Sequence, residues 1–523
     1  MSLKTLTNKN NIFILLIFIF SIIINHYYAS LGAFPLDTFY HFDLGFRMLQ
    51  GEVPFTDIWM VSGVLINYIQ AFFFYILGTN WTSYVFHASL INGLISIATY
   101  FLLKDFKLNI NYCFIYSLLF SILGYTSSGT PFVDHHSAFF SLMGIYSLLL
   151  GIKSEKKIFW ILVPIFFGFG FLSKQVPTSY VIFCTTIIIL FYSYVFKKTE
   201  YIKYILFGSL TFISFVFLFG ILNGIKLEHF IQQYILYPQT IGGPRFENLN
   251  LTFRGTVDHF KFIYLSIAPI FFISCKKVIY ETGYIKKKNF FYFIILLLFT
   301  LSLIFHQLLT KNQTFIFFLI PLLFAFSHIA LNETKLRKKN IIFIFLIICC
   351  FLITIKYHLR FNEGRKFHEL STVDFSKSIT ATKIHKKLKG LKWISPEYKN
   401  DVEKEINLIN KIKNHLIYDK RKKMVITNYS FFSVILNEKL FSPSMVYTSD
   451  GTTYPQKNSK YSEKYKNLII EVIKKNDLEV IYIINPLNKA SIYDYLDKNC
   501  FKENLVFEKL NSYEIKSCRD LKN

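Results

Sequence analysis

The 523-residue chain is short of the marks that soluble nucleotide-handling or metal enzymes carry. Its polar C-terminal part has no G-x-G-x-x-G or P-loop stretch, which removes the usual backbone cradles for phosphate. No H-x-x-x-H or comparable histidine spacing occurs, so nothing local announces a metal site. No internal repeat or low-complexity tract stands out. Cysteine is scarce, and five of the seven (Cys113, Cys184, Cys275, Cys349 and Cys350) lie in apolar runs, where a thiol behaves as a small buried hydrophobe. The first apolar run is too long for a signal peptide and lacks a small-residue cleavage site in its flanks; it reads as a retained helix. Acidic residues are outnumbered 33 to 58 by basic ones, for a net charge of +25. The basic residues of the apolar part sit in short loops, which is what orientation in a membrane requires and which sets aside a nucleic-acid partner.

What is abundant is hydrocarbon. Hydrophobic residues make up 53% of the chain, with 60 Phe and 34 Tyr, and mean hydropathy is +0.37. Apolar runs long enough to cross ~30 Å of bilayer recur from Asn11 to about Ile355. The expected spans are 12–29, 82–103, 111–128, 137–151, 158–172, 178–196, 204–222, 262–275, 289–305, 314–331 and 340–357. The fold class is therefore an α-helical polytopic membrane protein with about 11 transmembrane helices plus interfacial helices. A soluble α/β domain follows, the boundaries being 1–358 and 359–523.

Lysines fix the expected orientation. With the N-terminus cytoplasmic, one set of loops holds Lys104 and Lys107, then Lys153, Lys156 and Lys157, then Lys197, Lys198 and Lys203. Lys276, Lys277 and Lys286–Lys288 follow, and last Lys335, Arg337, Lys338 and Lys339. Residues 60–78 would invert every later loop if they spanned, so their aromatic stretch Phe72-Phe73-Phe74-Tyr75 is placed in the interface. The C-terminal domain then lies outside the cytoplasm. Cys500 and Cys518 bracket two expected strands, Asn504–Lys509 and Tyr513–Ile515, and are expected to form a disulfide in an oxidising compartment. An Ile-, Asn- and Lys-rich composition suits an AT-rich bacterial genome, which makes the membrane a bacterial inner membrane and the outer space periplasm.

On this topology the outer loops gather the unusual polar residues. The first carries Asp37, His41, Asp43, Arg47, Glu52 and Asp57; the second reads Asp134-His135-His136; the third Lys174-Gln175. The fourth includes Arg245 after Gly242-Gly243-Pro244, and Arg254; the fifth has His306, Gln307, Lys311, Asn312 and Gln313. Ionisable groups at this depth need partners, water or a polar substrate. Asp43 and Arg47 are spaced to pair across one helical turn. Asp57 is placed either to cap the helix containing Met60 or to touch substrate. Gly242-Gly243-Pro244 reads as a flexible turn that could turn backbone amides towards an anion.

Leu36-Asp37, then Gly45-Phe46-Arg47-Met48-Leu49-Gln50-Gly51-Glu52, then an aromatic helix ending at Leu77-Gly78-Thr79-Asn80-Trp81, resemble the first external loop of GT-C glycosyltransferases. Gly168-Phe169-Gly170-Phe171-Leu172-Ser173-Lys174-Gln175 is similar to a later segment of the same enzymes. The likeness is to the family 39 protein O-mannosyltransferases and the lipid A aminoarabinose transferases. It departs at Asp37-Thr38, where relatives often have Asp-Glu. The resemblance implies inverting transfer of a sugar from a polyprenyl-phosphate donor to an external lipid, glycan or protein acceptor, with no cofactor and no obligatory divalent metal. It also implies Asp37 as the base that takes the acceptor proton, and Asp134 as a second acidic contact or a partner positioning the acceptor. Lys174, Arg245 and Arg254 are its candidates for the donor phosphate, and His41, Asp57, His135 and Gln175 are further substrate contacts. A lipid-linked sugar flippase, an O-antigen polymerase or ligase, and a non-catalytic assembly protein of the same fold are the alternatives.

Within the C-terminal domain the pattern predicts helices at about 402–417, 461–475 and 488–497, and strands at 423–428 and 479–484. Thr448–Pro455 reads as an exposed loop.

Overall fold

In hydrocarbon a backbone amide has no water to bond, so apolar runs of membrane length satisfy their amides internally as helices. Each of the eleven expected spans is a helix in the computed structural model, which describes residues 3–311, 315–334, 339–362, 368–484, 490–518 and 521. Eight helices are long and apolar enough to cross a membrane: Lys9–Ala29 within the first, Trp81–Asp105, Val133–Ser154, Gln175–Phe196, Glu200–Leu222, Lys261–Tyr280, Lys288–Thr310 and Lys339–Asn362. Ile110–Gly124, Lys157–Ser173 and Leu319–Asn332 are shorter than that, as is Val64–Leu77 in the segment expected at the interface. Lys335, Arg337, Lys338, Asn312 and Gln313 lie outside the described residues.

The chain divides into two units. The first comprises Met1–Ala29, Val85–Val216 and Asn248–Phe367 and holds most of the membrane helices. Its interior is apolar and aromatic, with Trp160, Tyr116, Tyr125 and Tyr192 fully buried. Some polar side chains inside it are matched across helices. The Asn92 amide donates to Asn25 Oδ1 at 3.0 Å and to the Ser121 carbonyl at 2.8 Å, tying three helices where hydrocarbon contact alone gives little preference. The helix expected over 111–128 stops at Gly124 because the chain turns at Tyr125–Gly129. Gly129 sits at φ 70°, and a Cβ there would lie 2.4 Å from the Ala29 nitrogen, so only glycine serves.

The second unit comprises Ser30–Tyr84, Phe217–Glu247 and His368–Asn523. Thus residues 30–84 and 217–247 cluster with the C-terminal residues rather than with the flanking membrane helices. A two-residue pair, β1 (Ile379–Thr380) with β2 (Lys392–Trp393), precedes a four-stranded sheet of β3 (Lys423–Ile426), β4 (Val480–Ile484), β5 (Phe501–Phe507) and β6 (Leu510–Ile515). The order is β3-β4-β6-β5, with β3 and β4 parallel and the others antiparallel. β3 and β4 are buried along their whole length, as near-continuous apolar runs covered on both faces should be. The amphipathic helices Val402–Tyr418 and Ser462–Lys475 occupy the expected ranges.

Two expectations for the C-terminal segment are corrected. The helix foreseen over 488–497 is reduced, among the described residues, to Ala490–Tyr493; Asp497 then accepts the Asn499 amide at 2.9 Å and starts a 3₁₀ turn. The terminal strands are longer than foreseen, and Lys509 leaves the first of them for the hairpin turn at φ 70°. Cys500 and Cys518 are joined by a disulfide at the open end of this hairpin, with Cα atoms 5.0 Å apart.

One buried carboxylate organises the middle of this unit. Glu405 Oε2 accepts from Trp393 Nε1 and from Ser395 Oγ, both at 2.8 Å, and Oε1 accepts from Tyr429 OH at 2.9 Å. Burial raises its carboxyl above the usual range, and these three donors pull it back. Replacing Glu405 by Ala orphans all three donors and is expected to lower stability by about 2–3 kcal/mol. Glu405→Gln, which keeps an oxygen for Trp393 and Ser395, should cost less; denaturant melts of the purified chain measure both.

Candidate functional site

The first unit carries a polar centre at one end of its bundle. Val133–Ser154 begins with Asp134-His135-His136, so these side chains enter the protein on the first helical turn, and all three are buried. Lys157–Ser173 ends at Lys174, which swings out of helical geometry and reaches Asp134 with its ammonium, 2.9 Å from Oδ1 and 2.8 Å from Oδ2. From the last turns of Lys288–Thr310, His306 Nε2 comes to 2.9 Å from Asp134 Oδ1. A carboxylate so far from water is tolerable only with such partners. Three helices therefore meet on one carboxylate.

Beside it, His136 Nε2 lies 3.0 Å from His87 Nε2, and His136 Nδ1 lies 3.0 Å from Tyr125 OH. Two imidazole nitrogens at that distance share a single proton. His135 stacks on Tyr125, with ring centroids 4.4 Å apart, and its Nε2 is 3.3 Å from Ser127 Oγ. Gln175, half-buried, opens the next helix. Among the described residues no group of three or more His, Cys, Asp or Glu could hold a metal ion.

The same unit has a basic cavity of about 350 Å³. Arg254 and His259 line it from the stretch before Lys261–Tyr280, Lys261 from the first residue of that helix, and Lys356 and Arg360 from the end of Lys339–Asn362. Asp258 is its one carboxylate and is ion-paired to Lys261 at 2.8 Å. Four guanidinium and ammonium groups against one carboxylate make an anion-seeking surface.

The second unit holds the first-loop residues. Asp37 lies in the one-turn helix Pro35–Thr38, half-buried, with Pro35 at the helix start. Thr38, where the family pattern departs, is buried and accepts the Phe34 amide on its hydroxyl at 2.9 Å. His41 is fully buried, its Nδ1 2.6 Å from Asn67 Oδ1. Arg47, also buried, donates to Glu52 Oε2 from Nε and Nη2 at 3.0 and 2.6 Å and lies 3.7 Å from Asp43, the pair foreseen one turn apart. Asp43 accepts in addition from Ser433.

Two expectations about this unit are overturned. Asp57 does not cap the helix containing Met60, because Met60 lies outside the helix, which starts at Val64 behind Gly63. The Asp57 carboxylate instead accepts the Val53 amide at 2.8 Å and pairs with Lys475 at 2.6 Å. Nor is Gly242-Gly243-Pro244 a turn: these residues continue the Tyr237–Glu247 helix, which runs on from a π-helical stretch, Ile231–Leu236, held by Gln233 through the Met60 amide and the Phe55 carbonyl. The amides of Gly242 and Gly243 are spent in the helix, and Arg245 is exposed on it.

Sequence reasoning missed Lys261, Lys356 and Arg360, because each looks like an ordinary cation at a helix end. It named His306 without a partner, and His87 not at all; a histidine in an apolar run was the available signal. Burial raises the carboxyls of Asp43 and Glu52, with Arg47 opposing the rise in both. Arg47→Met should therefore cost about 3–5 kcal/mol at neutral pH by stranding two buried carboxylates. A carboxyl whose folded value is raised binds its proton more tightly when folded, so acidification favours the folded form and the deficit should shrink towards pH 4. Thermal melts of the variant and wild type between pH 4 and 8 measure the difference.

The fold and this polar centre define a polytopic α-helical membrane protein with buried charge at one end of its bundle. Residues 61–219 match the sequence model of the family described as Dolichyl-phosphate-mannose-protein mannosyltransferase. The likeness to that family is carried by this segment. It includes Leu77–Trp81, Asp134, Lys174 and Gln175, and begins after Asp37. Among solved structures, the crystal structure of ArnT from Cupriavidus metallidurans bound to undecaprenyl phosphate aligns over 97% of this chain and 98% of its own. Sequence identity is 8% and the TM-score 0.48, too distant to assign a ligand or a residue role. No curated protein matches the chain by sequence.

Proposed function

We propose that the chain is an inverting glycosyltransferase that moves a sugar from a polyprenyl-phosphate donor to a lipid, glycan or protein acceptor outside the cytoplasm. The observation that carries this reading is the basic cavity formed by Arg254, Lys261, Lys356 and Arg360 at the ends of membrane helices. A lipid phosphate presents its charge at that kind of place. Positive-inside loops support an orientation with the N-terminus cytoplasmic and residues 359–523 periplasmic, and the Ile-, Asn- and Lys-rich composition supports a bacterial inner membrane as the location.

In the proposed reaction Asp37 takes the proton of an acceptor hydroxyl as its oxygen attacks the anomeric carbon. The bond from that carbon to the phosphate oxygen breaks, and the phosphate leaves with the electron pair. Charge gathers on the phosphate oxygens, where Arg254, Lys261, Lys356 and Arg360 stabilise it more strongly than in the ground state. Lys174 is already engaged by Asp134, so the pair is assigned to fixing sugar or acceptor hydroxyls, with Gln175 and His135 nearby in sequence as further contacts. His41, bonded to Asn67, and Asp57, bonded to the Val53 amide and to Lys475, are assigned to holding Asp37's segment in shape. Arg245 faces Asp450 electrostatically and is a contact for the acceptor rather than the donor.

Transfer of label from polyprenyl-phosphate hexoses into membrane lipid and protein tests the reading. Asp37→Asn should lower the rate by about 10²–10⁴-fold while leaving the protein folded. Arg254→Gln combined with Lys356→Gln should raise the donor KM and leave an Asp37-dependent residual rate. Equal label from wild type and Asp37→Asn removes Asp37 as the base.

A further inference from the structure

A second cavity, of about 590 Å³, lies in the first unit between the helices Trp81–Asp105, Val133–Ser154 and Lys157–Ser173. The first two are tied together at two levels. Thr99 Oγ1 and Tyr146 OH are 2.7 Å apart, and at the lysine-rich end Lys153 Nζ is 2.9 Å from the Asp105 carboxylate. Between and beside these ties the cleft is walled by Phe101, Met143, Leu150, Phe159, Leu162 and Phe166.

Its chemistry is divided by depth. The two hydroxyls in the wall are already used, Tyr146 by Thr99 and Ser147 by the Met143 carbonyl at 2.9 Å, so the cleft offers only carbon to an occupant. Water gains nothing in such a space. Phe101 is 47% exposed at the cleft, so its edge faces the surrounding hydrocarbon rather than a sealed core. At the end of the cleft Asp105 is neutralised by Lys153, whereas the ammonium of Lys104, also lining it, makes no ion pair or hydrogen bond among the described residues. An apolar slot of this size falls within the ~300–1,000 Å³ range of ligand sites. With one uncompensated ammonium at the headgroup level, it is complementary to one kind of molecule in its surroundings.

We propose that this cleft is a binding site for a single anionic phospholipid, its acyl chain along Phe101, Met143 and Phe166 and its phosphate at Lys104. The site is separate from the cationic cavity and does not depend on the transfer reaction. A lysine close to the membrane surface is worth about fivefold in binding an anionic lipid.

Native mass spectrometry of the full chain, delipidated stepwise in detergent and then offered phosphatidylglycerol or phosphatidylcholine, tests it. Wild type should retain one phosphatidylglycerol in preference to phosphatidylcholine. Ala98→Trp, which fills the cleft, should abolish that retention, and Lys104→Gln should weaken it by about fivefold. Lys197→Gln, an exposed lysine of another loop at the lysine-rich end, should leave it unchanged. Should Ala98→Trp elute as aggregate, Lys104→Gln against Lys197→Gln decides alone. Equal retention of the two lipids, an effect of Lys104→Gln no larger than that of Lys197→Gln, or displacement of the phospholipid by polyprenyl phosphate at the cleft overturns the proposal.

Discussion

The contact on which the first unit most depends is the carboxylate of Asp134. In a bundle whose surfaces are as apolar as lipid, hydrophobic burial does not tell one helix packing from another; polar contacts do. Asp134 supplies such a contact to two helices at once, through Lys174 at the end of one and His306 near the end of another. Removing either partner leaves a charge in a place that cannot solvate it. The same carboxylate is thus both a registration point for the helix ends and the most polar surface offered there, so structure and chemistry constrain one another at this position.

The second unit solves the same problem with a different residue. Arg47 lies between two carboxylates and also donates to the Ser442 carbonyl at 2.5 Å, so a first-loop helix and the segment around 442 share one guanidinium. Its planar fork allows several directed bonds where an ammonium would make a looser set. Residues 30–84 are therefore fastened to the C-terminal sheet region by charge as well as by the aromatic packing of Phe39 against Trp393 and Phe431.

Much of this was legible in advance. Eleven helices and two of the C-terminal helices follow from hydrophobic length and period alone, and the Asp43–Arg47 spacing announced a contact that exists. What could not be read was convergence. Lys174 and His306 are far apart in sequence, and nothing in either segment states that both will meet Asp134. The helix through Gly242-Gly243-Pro244 was hidden for a different reason: local propensity says turn, and the preceding stretch held by Gln233 overrides it. Asp57 was misread because a carboxylate after a proline suits a helix cap, whereas its partner Lys475 is more than four hundred residues away. The basic cavity was invisible because its cations come from two separate segments, each innocuous alone.

The hairpin of β5 and β6 has a further property. Side chains in a strand alternate between faces, so sliding β5 by one residue would turn buried Phe501 outward and Lys502 inward. Hydrogen bonds alone do not forbid such a slip, since a displaced ladder can make nearly as many. The Cys500–Cys518 bridge joins the residue just before β5 to the segment just after β6, so it ties the open end of the ladder while the turn ties the other. It acts as a clamp on alignment, fixing which face of an edge strand stays wet.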